Sequence, residues 1–402
     1  MIIWSDPTFE SQPAPVLALL TRALAAAPRD PRLLSKLGNV HLDRYDFAAA
    51  AQAFRAALAI DPTDLAVRLR LARCCNVLGR EAECLSLLDP DCLSADEGDN
   101  PDIRYHRAVA LDAVGKVGEA ELEVRAALAR NAYHSHACTL LMRLLRKSGR
   151  TKDLLAECEG LAAKGVRHAQ LLLEWGRACA LNADPRRAAQ LLLDHARVYK
   201  TAFPAPQPFA DIATFNAAFA EELLSHPVIL ADFPKDEANR GSRRIHHLTG
   251  GGRPELVRAL AAEVQGAVDR LTEGLRQSDQ AERSDPWIEA MPKRARLHAW
   301  GLVQRSGEFE DWHFHRGGWL SGVYYVRIPD AFSEAEEGQG CLEFGPPPAL
   351  VKTGLAPCGP LRIAPREGLL VLSPSHYHHR TIPFTADGYR ISFAFDVVPL
   401  NT

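Results

Sequence analysis

Asp311-Trp312-His313-Phe314-His315 is followed, after a glycine-containing turn at Gly317-Gly318, by Ser321-Gly322-Val323-Tyr324-Tyr325-Val326. The first stretch reads as a polar strand end, the second as an apolar β-strand. Successive side chains on a strand point to opposite faces, so Asp311, His313 and His315 share one face. Two imidazoles so placed can reach a single metal ion. A third candidate lies far downstream, His379 in Ser375-His376-Tyr377-His378-His379-Arg380. Arg390 follows in Tyr389-Arg390-Ile391-Ser392-Phe393-Ala394-Phe395.

Working outward, the hydrophobic period from Arg294 onward is two. Candidate strands are Arg296–Gln304, Trp312–His315, Leu320–Ile328, Gly340–Phe344, Leu361–Ala364, Gly368–Leu372, His379–Ile382 and Tyr389–Val397. Short strands punctuated by glycine and proline point to a jelly-roll barrel or sandwich. Ahead of them, Asp211–Leu224 and Pro254–Gln277 carry apolar residues at helical spacing (Leu256, Leu260, Val264, Val268, Leu271, Leu275), and these helices should cover one sheet. A polar loop, 235–244, lies between the two. Phe203-Pro204-Ala205-Pro206-Gln207-Pro208-Phe209 breaks helical periodicity, because proline lacks an N–H and restricts the residue before it. The expected domains are therefore 1–198 and 199–402.

The first domain fits a 34-residue ruler. With Pro31 as position one, Leu34, Leu37, Gly38, His41, Ala50, Phe54, Ala57 and Pro62 fall at signature positions and resemble a tetratricopeptide repeat. Further units begin near Leu65 (Ala72, Gly79), Pro101 (Ala108, Gly115, Ala120), Ser135 (Gly149) and Gln170 (Trp175, Ala188), after a capping helix at 14–27. Small residues at the eighth and twentieth positions let the paired helices approach closely. Each pair buries its remaining apolar face by stacking on the next, giving an α-solenoid with a concave surface suited to a peptide or protein partner. The acidic loop 89–101 lacks the glycine and closing glutamate of a calcium loop, and reads as a solvated junction.

Composition narrows the function. A net charge of −3 over 402 residues argues against a nucleic-acid or anionic-membrane partner. No apolar run reaches the length of a membrane span, and the N-terminus lacks the pattern of a secretory signal. The nine cysteines are scattered without a CxxC pair and read as small hydrophobes in a reducing compartment, so a cytoplasmic location is expected.

Two close histidines, one distant histidine and a trailing arginine form the layout of a non-haem iron oxygenase with an α-keto acid cosubstrate. The usual centre has two histidines and one carboxylate, and His315 stands where the carboxylate is expected. His313, His315 and His379 are the candidate catalytic metal ligands; Asp311 is held in reserve, and Glu343 is a third source of a carboxylate. Arg390 suits the far carboxylate of 2-oxoglutarate, since its planar fork pairs bidentately. Ser392 faces the same side, and Tyr324 or Tyr325 can add a phenol, with Tyr324 the choice. Trp300, Trp312 and Trp319 are candidate cavity walls. His376 is assigned no ligand role, nor are His134, His136, His246 and His247; His378 stands as the minor alternative to His379 for the distal ligand.

The motifs His313-Phe314-His315, Ser321-Gly322-Val323-Tyr324-Tyr325, Gly340-Cys341-Leu342-Glu343-Phe344, Pro374-Ser375 and Arg390-Ile391-Ser392 together resemble the 2-oxoglutarate/Fe(II) oxygenase family related to the prolyl hydroxylases. The resemblance covers about 203–398. It implies a double-stranded β-helix, Fe(II), 2-oxoglutarate and dioxygen, with decarboxylation to succinate coupled to hydroxylation of a C–H bond. Ser373, His376 and His378 depart from the family pattern. Two other functions compete: a non-catalytic repeat scaffold with an inactive barrel, and a three-histidine metal dioxygenase that does not use 2-oxoglutarate.

Overall fold

The computed structural model describes residues 2–8, 13–227, 238–246, 248–329 and 338–400. Lys235, where the polar loop was expected to begin, and His247 lie outside them. Chain contacts define two compact units, Gln12–Val166 and Met1–Ser11 with Arg167–Thr402. Among the described residues no helix is long and apolar enough to cross a membrane.

The unit Gln12–Val166 is a tetratricopeptide-type α-solenoid. A capping helix, Pro13–Ala26, precedes the pairs Pro31–Asp43/Phe47–Leu58, Leu65–Val77/Glu81–Leu87, Pro101–Ala113/Val117–Arg130 and Ser135–Lys147/Thr151–Ala163. Helix starts are written in the sequence: Asp30 and Asn100 each accept two backbone N–H donors ahead of a proline at the first turn. Between the paired helices one residue takes a left-handed conformation, Tyr45, Gly79, Gly115 and Gly149 in successive pairs. Only glycine adopts it without steric cost, which is why the last three were visible as turn signals. Gly38 lets the first pair close, because a Cβ there would come within 2.7 Å of Phe54 Cδ1.

Among the described residues the second unit carries twelve strands: β1 Ile3–Thr8, β2 Tyr199–Thr201, β3 Asn239–Arg240, β4 Arg243–Ile245, β5 Arg294–Gln304, β6 Phe309–Glu310, β7 Leu320–Arg327, β8 Leu342–Phe344, β9 Leu361–Ile363, β10 Leu370–Pro374, β11 His379–Thr381 and β12 Arg390–Pro399. The larger sheet runs β1-β5-β12-β7-β10-β2, with β4 also on β5; a smaller one runs β11-β8-β9, and β3 pairs with β6. This is a double-stranded β-helix, or jelly roll, with flanking helices. One face of β12 presents Phe393 and Phe395, and Phe219 of the helix Ile212–Leu224 meets Phe393 edge-on at 6.1 Å. The opposite face presents Arg390, Ser392, Ala394 and Asp396, opposite Gln304, Leu302, Trp300 and His298 of β5. That inner face lines the site. The helix Pro254–Gln277 has the expected bounds and buries Leu256, Leu260, Val264, Val268 and Leu275.

Three features differ from the pattern-based reading. The first residues are a strand of the barrel unit: β1 pairs in parallel with β5, and Asp269 accepts from Ile2 N and Trp4 Nε1, both at 3.2 Å. The fifth helix pair, Ala169–Leu181/Pro185–Leu192, belongs by contact to the barrel unit rather than the solenoid, so the contact boundary falls at 166/167 where spacing suggested 198/199. Leu193, just after that pair, enters the core of Tyr325, Phe344 and Tyr377, and Asp194 N donates to the Tyr377 hydroxyl at 3.1 Å. The polar loop 235–244 contains β3 and part of β4.

Candidate metal centre

His313 and His379 are joined before their side chains meet. Each backbone N–H donates to the other's carbonyl, at 3.0 and 2.9 Å, and His315 N donates to Ser375 O at 2.9 Å. The stretch Trp312–His315 is therefore not the continuous strand expected; only His313 bridges to His379. The two-residue alternation survives, and the rings of 313, 315 and 379 gather with centroids 4.3–5.2 Å apart. One ligand atom from each lies within 4.8 Å of the others.

The other ring nitrogens fix which atom faces inward. His313 Nδ1 donates to Asp311 O at 2.6 Å, His379 Nδ1 to Tyr377 O at 3.0 Å, and His315 Nδ1 to Asp396 Oδ1 at 2.6 Å. Each Nδ1 therefore carries the proton and each Nε2 keeps its lone pair, the tautomer required of a metal-binding imidazole. His315 Nε2 is buried with no hydrogen-bond partner. Burial, with the neighbouring His315 second, pulls the His313 imidazole down to about 3, and burial beside His313 and His315 also pulls His379 well down. Imidazoles with converging ring nitrogens fit a divalent cation such as Fe(II), and three nitrogen donors leave coordination positions open.

The carboxylates considered from sequence are engaged elsewhere. Asp311 Oδ2 accepts from Arg240 at 3.1 Å and its Oδ1 from Trp312 N at 2.8 Å. Glu343 accepts from Arg362 at 2.8 Å and Arg380 at 2.6 Å. Neither joins the histidine group.

A cavity of about 670 Å³ opens beside the triad, lined among others by Trp300, Trp312, Phe344, Arg390, Ser392 and Asp396. Trp300 stacks on His315 with centroids 5.6 Å apart. Trp319 is not part of that wall: it stacks on Trp287 at 4.9 Å, each indole N–H donating to the other's backbone carbonyl. Arg390 is 2 % exposed. It donates to Gln304 Oε1, Thr381 Oγ1 and Tyr325 Oη, and no carboxylate pairs with it among the described residues. Arg390 Nε and Ser392 Oγ are buried without partners. Such a cation is costly unless an anion meets it.

Tyr324 does not take the place assigned to it. Its hydroxyl donates to Asn216 Oδ1 at 2.8 Å and its ring stacks on Phe203. Cross-strand partners share a face. Tyr324 stands opposite Phe393 on the outer face, and Tyr325 opposite Ser392 on the inner one, beside Arg390. His378, the minor alternative for the distal ligand, does not join the histidine group and lies at the cavity wall against Phe314. Asp396 was missed altogether. Its signal was parity: an acidic residue on the face of β12 that Arg390 and Ser392 occupy.

Residues 298–396 match the family model described as "Putative 2OG-Fe(II) oxygenase", and residues 41–111 match a tetratricopeptide-repeat model. Among solved structures it is similar to MamA from Desulfovibrio magneticus RS-1 (14 % identity, 38 % of this chain and 84 % of that one, TM-score 0.35). It is also similar to Pseudomonas aeruginosa pilF (19 %, 44 % and 81 %, TM-score 0.37) and to a Pseudomonas putida prolyl-4-hydroxylase (17 %, 51 % and 94 %, TM-score 0.33). No curated protein matches the chain.

Proposed function

We propose that this protein is a 2-oxoglutarate- and Fe(II)-dependent dioxygenase that hydroxylates a peptide or protein bound by the repeat groove. One observation carries the reading: three histidine ring nitrogens converge at a cavity whose wall also holds a buried arginine with no carboxylate partner among the described residues. His313, His315 and His379 would hold the metal. Bound there, Fe(II) supplies the centre at which dioxygen and the keto acid react. Arg390 neutralises the far carboxylate of 2-oxoglutarate, with Ser392 Oγ as a second donor and Tyr325 Oη steadying the guanidinium. Trp300 and Phe344 exclude water around the triad.

The test is succinate formation from 2-oxoglutarate by the full chain supplied with Fe(II), compared with His379→Ala and Arg390→Ala. Turnover lost in both variants is expected. Absence of both turnover and 2-oxoglutarate binding in the native chain would overturn the reading. Because Asp311 and Glu343 are held by arginines, a three-histidine dioxygenase that does not use 2-oxoglutarate is the second reading. Iron-dependent oxygen consumption unaffected by 2-oxoglutarate would favour it.

A further inference from the structure

Imidazoles that ligate a metal through Nε2 bring no charge to a divalent cation. Asp396 is 9 % exposed, and its Oδ1 accepts from His315 Nδ1 and from Ser321 Oγ, both at 2.6 Å. Ser321 Oγ lies 2.7 Å from Ser375 Oγ; since the Ser321 proton is directed to Asp396, Ser375 must donate in turn. Two hydroxyls and an imidazole thus hold one carboxylate oxygen in place. Among the described residues no lysine or arginine pairs with this carboxylate; the group that meets it is the Nδ1–H of His315. The other cavity-wall acids that pair do so with arginine: Glu310 with Arg244, Asp311 with Arg240. Among the described residues, Arg390 therefore has no carboxylate partner and Asp396 no lysine or arginine partner. The second sits one hydrogen bond behind a ligand of the candidate centre.

Resting on the reading of the triad as a metal centre, we propose that Asp396 is the carboxylate of this centre. It acts through His315 as a positioning and charge-supplying residue rather than as a direct ligand. Accepting the Nδ1 proton fixes the ring's tautomer and makes Nε2 a stronger donor. It also places a negative charge where the usual centre has one, moved outward by the width of an imidazole. Loss of such outer partners weakens metal binding by about 10–100-fold. A substitution of Asp396 should have the opposite effect on the metal-free protein, where the carboxylate is a buried charge without a cation.

The experiment is an anaerobic Co(II) titration of the full chain followed by its visible spectrum, with Asp396→Asn alongside. Thermal unfolding of the metal-free forms is measured in parallel. Expected are Co(II) binding about 10–100-fold weaker in Asp396→Asn and a metal-free unfolding temperature equal to or above the native one. Affinity within threefold of native overturns the proposal while leaving the metal centre standing. Failure of the native chain to bind Co(II) removes the centre itself, and the proposal with it. If Asp396→Asn does not fold, the proton spectrum of the Co(II)-loaded native chain decides. It should show three exchangeable imidazole N–H signals shifted by the metal, with that of His315 the slowest to exchange; two signals overturn the assignment.

Discussion

The guanidinium of Arg390 lies over the ring of Tyr325, with Cζ 5.1 Å from the centroid and Nη2 3.5 Å from the phenol oxygen. Both side chains are fully or almost fully buried, and burial drives the Tyr325 phenol up, keeping it neutral. A cation so placed waits for an anion. Arg390→Met should leave the ligand-free protein as stable as the native one or more so, because it removes an unpaired buried charge. It should weaken 2-oxoglutarate binding by about 2–3 kcal/mol, roughly 30–150-fold, the cost of an unmet charge-assisted pair. Calorimetric titration of the metal-loaded chain measures this, and an affinity within threefold of native would show that Arg390 does not grip the cosubstrate.

The two adjacent tyrosines should separate cleanly. Tyr324→Phe removes a hydrogen bond to Asn216 on the outer face, with a stability loss of about 1 kcal/mol and no change in cosubstrate affinity. Tyr325→Phe removes a partner of Arg390 and should raise the 2-oxoglutarate dissociation constant several-fold while changing stability little. The reverse pattern, in unfolding curves and titrations of both variants, would mean that the register at β12 is wrong.

That register marks the limit of what the sequence discloses. Period-two patterning placed the main strands and put His313 and His315 on one face. It could not choose between Tyr324 and Tyr325, because the choice depends on which of them faces Ser392 across a bulge after Ile391. The solenoid was legible because its turns, caps and small residues recur at one spacing, each a local requirement. Strand β1 was not: it is short, lacks alternation, and exists through β5 and Asp269, nearly three hundred positions away. The fifth helix pair reads as a repeat but packs with the barrel unit, since spacing reports the shape of a hairpin and says nothing about what it packs against. Asp396 had a legible position on the face of Arg390 and Ser392, but its role depended on finding His315 opposite.

His106 makes the repeat unit acid-sensitive. Burial pulls its imidazole down to about 4; Asp102 opposes this, and Arg73, His134 and His136 reinforce it. The folded value is below the unfolded one of about 6.5, so the unfolded chain takes up the proton first. The contribution is complete above pH ~6.5 and is lost as pH falls toward about 4, amounting to about 2 kcal/mol by pH ~5. Urea unfolding should show the native chain weakening between neutral pH and pH ~5 by about that much more than His106→Gln. Equal slopes for the two proteins would mean that His106 is already charged in the fold.

Two glycines in the solenoid should respond to alanine with opposite signs. Gly160 lies exposed in Thr151–Ala163, and a Cβ there meets nothing within 4 Å. Gly160→Ala should stabilise by about 0.5–1 kcal/mol, by restricting the unfolded chain and favouring the helix. Gly38→Ala gains the same helix preference, but its Cβ would come within 2.7 Å of Cδ1 and Cζ of Phe54. Phe54 is completely buried, and close-packed interiors yield little to an added methyl group. Overpacking costs about 1–3 kcal/mol and therefore outweighs the preference. Trimming the ring should relieve it: Phe54→Leu destabilises alone, yet Gly38→Ala with Phe54→Leu should be less unstable than the sum, by about 0.5–3 kcal/mol. Additive losses in the urea midpoints of the four proteins would show that the small residue at this turn of the helix is not there to admit the ring.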